Sequence, residues 1–172
     1  MGGTSWGRGN VTAAAEFNFF HDPEAAATVL RKIPEELDTK IVTWEATREG
    51  TFKKEMIDFH PYQTTFKGEW LWERCKRMGV PIDEEAFDDF CICDLVAAVV
   101  LVEGKAIKSS RDCHVAVECA GKFSRGAMVV DARDRPTTKQ KEEAGFKLVT
   151  VVDKVDYSRP LLDLHGLKLA ST

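Results

Sequence analysis

Residues 1–23 read MGGTSWGRGNVTAAAEFNFFHDP, and the rest of the chain is organised around this stretch. Three polar side chains, Asn10, Glu16 and Asn18, lie among Ala and Phe residues in a Gly-rich run with no helical or strand period. The run feeds directly into a helix signal. Asp22 is placed to cap, Pro23 suits the first helical position and Glu24 favours the positive helix end. Ala26, Val29, Leu30 and Ile33 follow at helical spacing until Pro34 stops the pattern. An aperiodic polar loop anchored by a packed helix has the form of a binding loop. The composition alone favours a plainer reading, with Asn10 in a turn after Gly9, Glu16 exposed and Asn18 capping a helix.

At 172 residues the chain can bury one real core. With 44% hydrophobic and 30% charged residues it has ordinary globular usage. A net charge of -4 without grouped Lys and Arg argues against nucleic-acid binding, because phosphate neutralisation needs clustered cations. No apolar stretch approaches membrane-spanning length, and no signal peptide is visible. Five cysteines, an odd count, then read as reduced thiols in the cytoplasm.

Downstream, residues 40–47 (KIVTWEAT) read as a short buried strand. Residues 51–59 and 64–78 read as helices separated by His60 and Pro61. Residues 90–102 (FCICDLVAAVVLV) are apolar except for Asp94, which is expected to cap a buried helix running to Val102. Residues 113–131 read as a hairpin turning at Ala120 and Gly121, residues 133–144 as a solvated loop, residues 148–152 as a last strand and residues 156–169 as a last helix. About four strands interleaved with helices give an α/β class. That is a small sheet for such a fold.

Chemistry has few other places to reside. Amides and a carboxylate together donate and accept, so Asn10, Glu16 and Asn18 suit a hydroxyl-rich ligand such as a sugar. Asp94 is either a helix cap or a functional group that binds a hard cation. Cys93 beside it is a possible nucleophile or a buried structural thiol, and Cys91 with Cys93 lacks the second pair that a zinc site requires. No P-loop, GxGxxG, HExxH or GxSxG run occurs, which counts against triphosphate, dinucleotide, metalloprotease and esterase chemistry.

The segments MGG (residues 1–3), GNVT (9–12), AEFN (15–18) and DPEAA (22–26) closely resemble the inosine-uridine preferring nucleoside hydrolase family in order and spacing. Cys93 and Asp94 with Ala97 match a residue-Asp pair at the head of a family helix, and Gly121, Arg125, Gly126 and Asp131 match its hairpin. The resemblance implies a Rossmann-like sheet flanked by helices, with a C-terminal hairpin, strand and helix. It implies hydrolysis of the N-glycosidic bond of ribonucleosides and a bound Ca²⁺. On that basis Asn10, Glu16, Asn18 and Asp94 are expected to contact the ribose, and Asp94 to ligate calcium. Cys93 occupies the place where many members have a histidine, which makes it the candidate acid for the leaving base.

The family's Asp-rich DxDxGxDD loop, the source of most calcium ligands and of the water-activating carboxylate, has no counterpart here. The chain is therefore expected to be one domain over residues 1–172, similar to the C-terminal half of a usual member, with a ribose half-site and little or no activity by itself. Homo-oligomers are expected of the full-length form. The competing expectation is a non-catalytic isoform or paralogue that binds ribosides or pairs with a full-length subunit. A thiol or metal-binding protein has only its cysteine count in favour.

Overall fold

The computed structural model divides into two compact units, Met1–Glu49 with Cys93–Val155, and Gly50–Ile92 with Asp156–Thr172. The structure describes residues 1–48, 77, 93–134 and 136–156, and the architecture below is that of the first unit. The helices expected over residues 51–59, 64–78 and 156–169 lie outside the described residues, apart from helical Arg77.

In chain order the elements are α1 (Phe17–His21), α2 (Pro23–Lys32), β1 (Lys40–Val42), α3 (Trp44–Arg48), α4 (Cys93–Val102), a 3-10 turn (Gly104–Ala106), β2 (Ile107–Val117), β3 (Met128–Asp131), α5 (Thr138–Glu143) and β4 (Lys147–Val155). The four strands form one mixed sheet in the order β1-β4-β2-β3. β1 runs parallel to β4, with Ile41 opposite Val151. β2 is antiparallel to both neighbours, pairing Cys113 with Val149 on β4 and Val115 with Val130 on β3.

α2 follows its sequence signals. The Asp22 carboxylate accepts the Ala25 N–H at 2.8 Å, Pro23 takes the first helical position, and the helix ends at Lys32. Its buried Leu30 joins Ile41, Val115, Met128, Val149 and Val151 in the core on one face of the sheet. Alternation along the strands sends Val42 and Val152, which are register partners, to the other face. There α3 packs against β4, and α4 packs against β1 and α3, with Val96, Val99 and Val100 buried. The sheet is thus covered by helices on both faces.

Several local expectations change. The hairpin strands are joined by a loop over residues 118–127 and not by a tight turn at Ala120 and Gly121, and β2 begins at Ile107. The strand at Lys40 stops at Val42, because Thr43 caps a helix: its hydroxyl donates to the Val152 carbonyl at 3.2 Å and accepts the Ala46 N–H at 3.3 Å. Helix α4 already includes Cys93, so Asp94 lies exposed in its first turn instead of serving as the cap. The solvated loop over residues 133–144 contains α5, which is started by a reciprocal capping box between Thr137 and Gln140.

Candidate functional site

The opening stretch lies across the carboxyl end of β1. Gly2 N donates to the Val42 carbonyl at 3.0 Å, and the Gly3 carbonyl accepts from Trp44 N at 2.9 Å. Beyond Trp6 the chain makes a tight return. Asn10 N, Val11 N and Thr12 N all approach the Ala15 carbonyl at 3.2–3.4 Å, and the Thr12 hydroxyl accepts Ala15 N at 3.0 Å. Only glycine fits at position 9, since a Cβ there would lie 2.1 Å from the Thr12 carbonyl oxygen and 2.2 Å from that of Ala15.

Glu16 is the hub of this loop. It is 2% exposed and caps α1. Its Oε1 accepts Asn18 N at 2.9 Å, and its Oε2 accepts Gly3 N at 2.8 Å and Phe19 N at 3.3 Å. The expectation of an exposed glutamate is therefore overturned. A carboxylate can be buried here because backbone N–H groups surround it and the positive end of α1 faces it.

Asn10 Oδ1 accepts Phe17 N at 2.8 Å, so the Asn10 side chain spans the loop to the same helix start. Asn18 is exposed in α1, and its amide donates to the Met1 carbonyl at 3.3 Å. The structure thus gathers Asn10, Glu16 and Asn18 about one helix N-terminus. Half-buried Cys93 and exposed Asp94 head α4, a separate element.

A second buried carboxylate, Glu45 in the first turn of α3, also holds this stretch. It accepts the Thr4 hydroxyl, Trp6 N at 3.0 Å and, more loosely, Ser5 N at 3.4 Å. The Ser5 hydroxyl reaches Asp153 at 3.4 Å, and Asp153 is itself held by Arg111 at 3.0 Å. Sequence reading had absorbed Glu45 into a strand. A lone carboxylate inside KIVTWEAT was the available signal.

Calcium is not well served by these groups. Both Glu16 oxygens are engaged by backbone N–H groups, and Asp94 is a single carboxylate, whereas Ca²⁺ takes roughly six to eight oxygens. Among the described residues no group of three or more His, Cys, Asp or Glu is arranged to hold a metal ion.

The model of the inosine-uridine preferring nucleoside hydrolases matches residues 1–160, and the chain belongs to that family. It is 31% identical over 133 residues to the non-specific ribonucleoside hydrolase RihC of Shigella boydii and to that of Escherichia coli, covering 76% of this chain and 40% of each relative. Among solved structures, an inosine-guanosine nucleoside hydrolase superposes with a TM-score of 0.73 at 27% identity, over 94% of this chain and 48% of that one. A plant nucleoside hydrolase has the same fold, with a TM-score of 0.67 at 22% identity, over 93% of this chain and 49% of that one. The chain spans about half the length of these relatives or less.

Proposed function

We propose that this chain carries the ribose-gripping part of a nucleoside N-ribohydrolase, the activity that cleaves a ribonucleoside to ribose and free base. The observation that carries the reading is the family match over residues 1–160 on a loop that gathers Asn10, Glu16 and Asn18 at one helix start. In this proposal Asn10, Asn18 and Asp94 contact ribose hydroxyls, and Glu16, whose oxygens accept backbone N–H groups, holds the loop that presents them. Glycosidic cleavage builds positive charge on the sugar ring, and acceptors fixed around the hydroxyls orient the ring and favour that charge. Cys93 is the proposed proton donor to the departing base, a role a thiol fills only while protonated.

By itself the chain has little or no nucleosidase activity in this reading. The sequence holds no DxDxGxDD run to supply the water-activating carboxylate, and among the described residues the donor set does not fit a tightly held calcium ion. A cytoplasmic location belongs to this reading, and among the described residues no helix is long and apolar enough to cross a membrane.

The test has two arms on the purified 172-residue protein. Inosine or uridine should shift the side-chain amide resonances of Asn10 and Asn18 in a ¹⁵N spectrum, and no ribose should be released above a protein-free blank. Release that a calcium chelator abolishes would overturn the claim of inactivity. Unmoved amides at saturating nucleoside would overturn the ribose half-site. Binding without release is the outcome that also fits a non-catalytic isoform or paralogue, and a full-length subunit that co-purifies with the chain would identify its partner.

A further inference from the structure

We propose that Glu45 is a positioning residue for Asn10, acting through the Thr4 hydroxyl. Two buried carboxylates divide the opening stretch between them. Glu16 takes Gly3 N, and Glu45 takes the Thr4 hydroxyl with Ser5 N and Trp6 N. Thr4 is 1% exposed, and its hydroxyl does double duty: it donates to Glu45 and accepts Arg8 N at 3.2 Å. A hydroxyl has one proton to give and lone pairs to receive with, so this is a directional relay from carboxylate to hydroxyl to backbone.

Arg8 begins the tight return that presents Asn10. On the far side of that return, Asn10 Oδ1 is tied to Phe17 N beside the Glu16 cap. The Asn10 segment therefore hangs between two fixed points, and Glu45 supplies the one that the sequence motif does not contain. Glu45 is itself fixed, because it sits in the first turn of α3, whose cap Thr43 is bonded to β4. The arrangement depends on geometry alone and needs no metal. It rests on the ribose-contact reading only in giving Asn10 its purpose.

The test is amide hydrogen exchange on the intact chain without ligand. In Thr4→Val, a shape-conserving change, exchange at Arg8 and Phe17 should quicken about tenfold, the effect of losing one hydrogen bond, while Ser5 and Trp6 stay protected. In Glu45→Ala, Ser5 and Trp6 should quicken as well. Val115 and Val151 in the sheet should not change in Thr4→Val. Glu45→Gln, which keeps an oxygen for the Thr4 hydroxyl, should restore protection at Arg8. Unchanged exchange at Arg8 and Phe17 in Thr4→Val would overturn the relay, and so would equal acceleration at Val151, which marks general loosening. Should Glu45→Ala fail to fold, Glu45→Asp, which draws the carboxylate back by one methylene, decides: faster exchange at Arg8 supports the relay, and exchange unchanged from the unmutated chain overturns it. Absence of nucleoside binding by the unmutated chain counts against the ribose reading and leaves this result standing.

Discussion

Glu16 closes onto Gly3 across a sequence separation of 13, its Oε2 accepting the Gly3 N–H at 2.8 Å from a position almost sealed from solvent. The same carboxylate takes Asn18 N and Phe19 N, so one side chain satisfies three backbone donors. Glu16→Ala should therefore cost about 2–4 kcal/mol in urea denaturation, since buried donors are left without acceptors. Glu16→Gln, which retains one oxygen, should cost about 1 kcal/mol. Equal stability of the alanine variant and the unmutated chain would contradict the assigned role.

The hairpin loop packs on α1 through Gly126. It has φ +81°, and a Cβ there would lie 2.6 Å from the Phe20 Cα, which is backbone and cannot swing aside. Gly145 has a similar φ of +89° but open space around it. Gly145→Ala should cost about 1–2 kcal/mol from the left-handed conformation alone, and Gly126→Ala about 2–4 kcal/mol with the clash added. Thermal unfolding of the two variants side by side separates strain from crowding.

Asp131 on β3 is gripped by Arg133, whose Nη2 lies 2.7 Å and Nε 2.9 Å from the carboxylate. These hydrogen bonds, with that from Arg133 N, hold the Asp131 carboxyl well below the usual carboxylate range. A carboxyl depressed on folding stabilises the native state above its unfolded pKa of about 3.9 and loses that contribution as pH falls below it. Asp131→Asn should lower the urea midpoint at pH 7 and flatten its fall between about pH 4 and pH 2. Parallel acid limbs for the two proteins would contradict the pairing. Glu24 and Glu118, also depressed, are present in both proteins and cancel in the difference.

Val151 is fully buried where β1 meets β4. Val151→Ala should cost about 2–3 kcal/mol, the transfer of two methyl groups plus a residual cavity. Val129→Ala, on the edge strand and 40% exposed, should cost well under about 1 kcal/mol. Urea midpoints for the pair measure how unevenly the sheet distributes its stability.

Much of the fold could be read from local signals. Asp22, Pro23 and Pro34 bound α2 without help from the rest of the chain, and the alternating residues of the hairpin gave β2 and β3 their pairing. What escaped depends on distant partners. The first half of β2, with Lys108, Ser109, Ser110, Arg111 and Asp112, has no apolar alternation and is held as a strand by its ladder with β4. Helix α3 was concealed because Trp44 and Thr47 favour strands, and the Thr43 cap is completed by a carbonyl on β4. The capping box at Thr137 and Gln140 is a local signal that lies among charged neighbours typical of a solvated loop. In the candidate site the family motif named Asn10, Glu16 and Asn18. Nothing in the sequence disclosed that Glu16 would be buried as a cap, or that Glu45 would share the loop with it.

The parallel pairing of Lys40 with Thr150 also bears on how the molecule is made. The opening loop rests on β1 and α3, and among the described residues the strand that pairs with β1 is β4, the last described strand. Joining strands so far apart in sequence requires closure of a long loop before any pairing energy is gained, which slows folding. The opening loop is therefore completed by a strand that lies far downstream of it in sequence.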